Sequence, residues 1–171
     1  VERLHAGIEE GLGDGLGVIA LAAFDGEEGL GQRNLDLVAV EQGLDSRDGL
    51  FLQLAEMTAC ADLVITTGGI SVGEEDHVKP ALLALGGDIY FSGVALKPGK
   101  PVSFGCVRGA SWLGLPGNPV AVMVTFLAFV RPALLQMMGA RATATPLLRA
   151  RSTEAIRKKP GRTEYQRGTV S

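Results

Sequence analysis

The run LVITTGG, residues 63–69, constrains the fold more than any other stretch of the chain. Its apolar and β-branched residues follow one another without the alternation that a solvated face would impose. The strand predicted here is therefore covered on both faces, as strands of parallel sheets are. Upstream, LFLQLAEMTACA (50–61) sets Leu50, Leu54, Met57 and Ala61 on one helical face. Downstream, HVKPALLALGG (77–87) predicts a short helix, with Pro80 in its first turn and Gly86–Gly87 as its end. DIYF, GVAL, PVSFG and SWLGL have strand character, and KPGKP (97–101) is a turn. After PGNP, Asn118 caps a helix that carries Pro119 in its first turn. It runs through VAVMVTFLAFV, meets a kink or stop at Arg131–Pro132 and ends near Gly139. This alternation predicts an α/β, three-layer domain with a mostly parallel sheet. Such sheets bind ligands beyond the carboxyl ends of their strands. TTGG and LPGNP both lie at such ends, so two loops can face one crevice.

The two flanks read differently. Residues 1–50 hold ten of the 24 glycines; GVIALAAF and LDLVAV could be buried strands, but neither alternates cleanly. Residues 142–171 are basic, with seven Lys or Arg between Arg149 and Arg167, and STEAIRKKPGRTEYQRG predicts two strands joined through KKPG. The expected organisation is an unassigned, divergent start of the α/β domain (1–50), its ligand-binding body (51–141) and the truncated start of a β-rich C-terminal domain (142–171). The chain begins with Val and stops in mid-pattern, so it is expected to be a piece of a longer protein.

Composition narrows the class. Residues 1–76 carry 16 acids against 3 bases, and residues 77–171 carry 13 bases against 3 acids. The split fits an acidic face meeting a basic one, a basic region meeting an anionic ligand, or merely solvated charge. Cys60 and Cys106 form no C-x-x-C pair, which argues against a zinc site or a redox dithiol and fits a reducing cytoplasm. The longest nearly apolar run, Val120–Val130, is too short for a bilayer, so no membrane span is expected. Aromatic content of 5%, without basic–aromatic interleaving, argues against nucleic-acid binding.

The candidate chemistry lies in three loops. In TTGGISVG, Gly68 and Gly69 admit close backbone approach, and Thr66, Thr67 and Ser71 add hydroxyls suited to phosphate or a heterocycle. The same loop also reads as a plain strand-to-helix turn. Glu74, Glu75 and Asp76 follow it. They either stabilise a helix start, or hold a divalent cation that reconciles carboxylates with an anionic ligand; Asp76 is the best metal candidate. Lys97 and Lys100 flank a stiff Pro-Gly turn that suits an oxyanion, or simply sit in solvent. Pro116, Gly117, Asn118 and Pro119 initiate a helix, and the two prolines stiffen the bend as a pocket wall requires.

Taken in order, DLVITTGGISVGEEDHVKPAL, GVALKPGKPVSFG, WLGLPGNPVAVMVTF and KKPGRTEYQRG resemble the molybdopterin molybdenumtransferase family, which includes the gephyrin E domain. The resemblance covers roughly residues 52–170. It implies an α/β fold of molybdopterin-binding type and insertion of molybdate into adenylylated molybdopterin, with release of AMP and help from Mg²⁺. It implies catalytic roles for Asp76 and Lys97 and metal binding by Asp76 and Asp45, the latter placed by spacing with Asp48 close by. Implied substrate-binding positions are Thr67, Gly68, Gly69, Ser71, Gly73, Lys100, Ser103, Pro116, Gly117, Asn118 and Pro119. It further implies a cytoplasmic homodimer, with a molybdopterin adenylyltransferase as a possible partner. Adenylyltransferase activity and a non-catalytic scaffold role are the alternatives, and this piece alone is expected to bind ligand without turnover. Residues 1–50 lack the family's opening strand, GDEL-like turn and SN-containing segment. A shifted reading frame or misplaced start is the expectation there.

Overall fold

The computed structural model describes residues 17–25, 33–42, 47–69, 77–141 and 149–169. Helix α1 (Arg47–Cys60) leads into β3 (Leu63–Thr67), and α2 (Val78–Ala84) leads into β4 (Asp88–Ser92). Strands β6 (Ser103–Val107) and β7 (Ala110–Leu115) form a hairpin, and α3 (Pro119–Met137) follows. Ahead of them, β1 (Gly17–Asp25) and β2 (Arg33–Gln42) form an antiparallel hairpin. Both strands fall on the two apolar runs of the glycine-rich start.

The layering follows from β3. All five of its residues are buried, and its side chains alternate between two cores. Val64 faces one core with Val18, Ala20 and Trp112, closed by Leu50, Leu54 and Met57 of α1 and by Val78, Ala81 and Leu82 of α2. Ala61 packs against its edge, so the predicted α1 face is the buried one. Leu63 and Ile65 face the other core with Ile19, Leu21, Leu113 and Leu115, closed by Val122, Phe126, Val130 and Leu134 of α3. Helices thus cover both faces of the sheet, giving three layers.

The sheet order is β2-β1-β3-β7-β6-β4. Strands β2, β3, β7 and β4 point one way, and β1 and β6 run against them. The α/β class holds and most strands share a direction, yet β3–β7 is the single parallel ladder in a mixed sheet. The cause is local: the β1–β2 and β6–β7 hairpins each insert a reversed strand.

Helix ends follow the expected chemistry. Gly86 (φ 80°) and Gly87 close α2 by donating to Leu83 and Leu82 carbonyls, at 3.0 and 2.9 Å. Asn118 Oδ1 accepts from the amides of Val120 (3.0 Å) and Ala121 (3.2 Å), with Pro119 in the first turn. At Arg131–Pro132 the helix neither stops nor restarts. A π turn over Phe126–Val130 carries it onward to Met137. Pro132 has no N–H for the Ala128 carbonyl, and a wider turn just before it accommodates that loss. At 19 residues, α3 is long and apolar enough to cross a membrane by length and composition, unlike the 11-residue run read from sequence. Its Val122–Leu134 stripe lies in the core instead.

Two expectations near the C-terminus need correction. In GVAL, the strand is confined to β5 (Leu96–Lys97). Residues 149–162 contribute no strand, so the KKPG hairpin does not form; β8 (Thr163–Glu164) pairs in parallel with β5. An isolated hairpin has no face to bury. Here the extended backbone beside the KPGK turn supplies the ladder partner.

Candidate functional site

Strand β3 ends at Thr67, and its neighbour β7 ends at Leu115, directly opposite in register. Both chains must turn at the same edge of the sheet. Gly68 (φ 80°) and Gly69 (φ 61°) turn the first in the left-handed region, which glycine enters without strain. The Gly68 amide donates to the Leu115 carbonyl at 3.1 Å. Across the gap, a Cβ added to Gly117 would lie 3.4 Å from the Gly68 Cα. The TTGG and LPGNP loops therefore touch. Beneath them, the buried Trp112 Nε1 donates to the buried Thr66 Oγ1 at 3.1 Å, tying the two strands one residue short of the loops.

The other predicted residues are placed as follows. Thr67 and Pro116 are buried, Gly68 and Gly69 are half-buried, and Gly117, Asn118 and Pro119 are exposed. Ser103 is fully buried, and its hydroxyl bonds Ser92 Oγ and the Pro101 carbonyl, both at 3.2 Å. Its side chain serves the β4–β6 register. Lys97 and Lys100 are exposed on a turn whose Gly99 (φ 114°) lies against Thr125 of α3 so closely that a Cβ there would collide with the Thr125 methyl. Thr125 is seven residues beyond Asn118, about 10 Å along the helix axis. The basic corner and the double-proline bend thus rest on the same helix, two turns apart. Asp45, Ser71, Gly73, Glu74, Glu75 and Asp76 lie outside the described residues.

Two features had no signal in the sequence. Lys97 Nζ lies 3.8 Å from Glu164 Oε1, across the β5–β8 ladder. A cavity of about 240 Å³ lies between the starts of α1 and α2, lined by Asp48, Phe51, His77, Pro80 and Ala81. Asp48 and His77 stand close in sequence to the two metal candidates, Asp45 and Asp76. Among the described residues no cluster of three His, Cys, Asp or Glu side chains forms a metal site.

The chain is a three-layer α/β domain with two touching loops at the carboxyl ends of neighbouring strands, the place where domains of this class bind ligands. Residues 28–136 match the family described as "Probable molybdopterin binding domain", and the chain belongs to that family. The match begins at residue 28, so it takes in part of the segment for which the motifs offered no counterpart. The chain is 45% identical over 109 residues to the molybdopterin molybdenumtransferase of Haemophilus influenzae, covering 63% of this chain and 27% of that protein. It is 35% identical over 130 residues to the molybdopterin molybdenumtransferase of a Nostoc species (74% and 30%). It is 31% identical over 159 residues to gephyrin of Dictyostelium discoideum (80% and 22%). Among solved structures it resembles the molybdopterin biosynthesis moea protein of Pyrococcus horikosii, with TM-score 0.50 and 28% identity over 57% of this chain and 24% of that one. The chain spans less than a third of the length of each of these relatives.

Proposed function

We propose that this chain is the ligand-binding part of an enzyme that inserts molybdate into adenylylated molybdopterin and releases AMP. The observation that carries the reading is the contact between the TTGG and LPGNP loops, fixed by the Gly68–Leu115 hydrogen bond at the end of the parallel β3–β7 ladder. That edge offers glycine backbone, a helix start and two rigid prolines to a phosphorylated pterin. The names of the relatives supply the reaction class.

In this reading the backbone of Gly68 and Gly69, with Thr67, Ser71 and Gly73, seats the pterin phosphate, and Pro116–Pro119 forms the facing wall. Ser103 supports from below, since its hydroxyl is committed to the fold. Lys97 and Lys100 take the oxyanion and offset its charge. Two anions brought together repel, so holding them in line is the main task of the site. Asp76 and Asp45 would hold Mg²⁺. Oxygen donors suit that ion. When bound, Mg²⁺ would supply positive charge that offsets the repulsion of the two anions. The assembled enzyme is a cytoplasmic homodimer that receives its substrate from a molybdopterin adenylyltransferase.

The test is to mix the protein with adenylylated molybdopterin, Mg²⁺ and molybdate and to follow AMP. The 171-residue chain is expected to bind without turnover, because its match spans less than a third of the length of these relatives. The same measurement on the longer protein should show AMP release that requires molybdate. ATP consumption with free molybdopterin would instead assign an adenylyltransferase. Absence of binding to any of these ligands leaves a scaffold module.

A further inference from the structure

We propose that Glu164 is a positioning residue for Lys97, so that the C-terminal segment around β8 belongs to the oxyanion-binding apparatus although it lies beyond the matched residues 28–136. The inference rests on the reading of Lys97 as an oxyanion ligand. The backbone leading into and through Lys97 is held by β8: the Thr163 amide donates to the Ala95 carbonyl at 2.8 Å, and the Tyr165 amide donates to the Lys97 carbonyl at 2.9 Å. Register places Glu164 directly opposite Lys97, and neighbours in register on adjacent strands project to the same side. The Glu164 side chain is only 10% exposed, whereas that of Lys97 is 58% exposed. The carboxylate is thus sheltered, and the ammonium is the partner that reaches solvent.

A lysine on a fixed corner still has four rotatable side-chain bonds, and ordering them works against ligand binding. At 3.8 Å the carboxylate attracts the ammonium without forming a tight hydrogen bond. The three N–H groups are therefore not all committed to Glu164, and the range swept by Nζ is narrowed. A second effect opposes this one. A carboxylate near the site repels an incoming oxyanion, so its removal would tighten binding if it acted by charge alone. The two effects have opposite signs, and the shelter of Glu164 together with the β8 ladder along Lys97 favours positioning.

The test is a double-mutant cycle on the 171-residue chain, reading molybdate affinity by titration calorimetry. Glu164→Gln keeps the shape and removes the charge; Lys97→Met removes the ammonium. In the presence of Lys97, Glu164→Gln is expected to weaken molybdate binding by about two- to fivefold, the scale of a partly exposed ion pair. In the Lys97→Met background it should change nothing, and Glu164→Asp should recover most of the loss. If Glu164→Gln leaves affinity unchanged, tightens it, or weakens it equally without Lys97, the proposal fails while the reading of Lys97 stands. If Lys97→Met does not affect molybdate binding, or the unmutated chain gives no heat with molybdate, both fail together. Thermal melting of each variant separates loss of fold from loss of the site, and Glu164→Asp serves as the conservative probe should Glu164→Gln not fold.

Discussion

Asn118 is a residue whose place could be read directly from its neighbours. Its short amide side chain precedes a proline and an apolar run, and its Oδ1 takes the two amides that the helix start leaves over. Replacing it with alanine is expected to destabilise the protein by about 1 kcal/mol, seen as a lower urea midpoint at unchanged slope. Asn118→Asp, which keeps the acceptor, should stay close to the parent. Ser103 is the opposite case. In sequence it is a hydroxyl two residues after a basic turn, which suits a ligand; in the fold it is buried between Ser92 and Pro101. The difference arises because burial depends on which strand pairs with β6, and β4 comes from a separate stretch of chain. Trp112 and Thr66 are joined by a hydrogen bond across 46 residues, and no local pattern announces such a bond.

Helix α3 shows what an element adds to its residues. Its core side chains, Val122, Phe126, Val130 and Leu134, recur at intervals of four. In a regular α-helix four residues advance by more than one turn, so such a stripe drifts by roughly 40° per step. The π turn at Phe126–Val130 widens one step and brings the later residues back toward the sheet. The phase after the turn can be tested. Leu134→Ala should cost about 2–5 kcal/mol because it empties a core position, whereas Leu127→Ala, at a half-exposed site, should cost less than about 1 kcal/mol. Urea denaturation of the two variants measures the contrast, and equal losses would show that the helix is not held in this phase. Sequence reading located this helix, its cap and its end because those are local signals. It expected a kink or stop at Pro132 because proline is the only local cue, and the widened turn depends on packing against β3 and β7. The KKPG hairpin failed for a related reason. Its residues carry good turn chemistry, but β8 finds its partner in β5, 67 residues earlier, and strand pairing over that distance leaves no trace in either segment.

At the scale of the whole molecule, the sheet joins two cores that do not meet. The one at α1 and α2 contains Trp112, the chain's only tryptophan, and the one at α3 contains Leu21. Strand β1 serves both, with Val18 and Ala20 on one face and Ile19 and Leu21 on the other. Strand β1, which lies in the glycine-rich start, therefore shares both cores with β3. If the two cores unfold as one unit, damage on one face must be felt on the other. Leu21→Ala should remove about 2–5 kcal/mol from the α3 side, yet it should move the Trp112 fluorescence midpoint by the same denaturant increment as the far-ultraviolet circular dichroism. A tryptophan transition that stays in place while the dichroism shifts would mean that the faces melt separately. The site would then be exposed to such melting, because the TTGG and LPGNP loops leave the sheet from β3 and β7, which like β1 contribute to both cores.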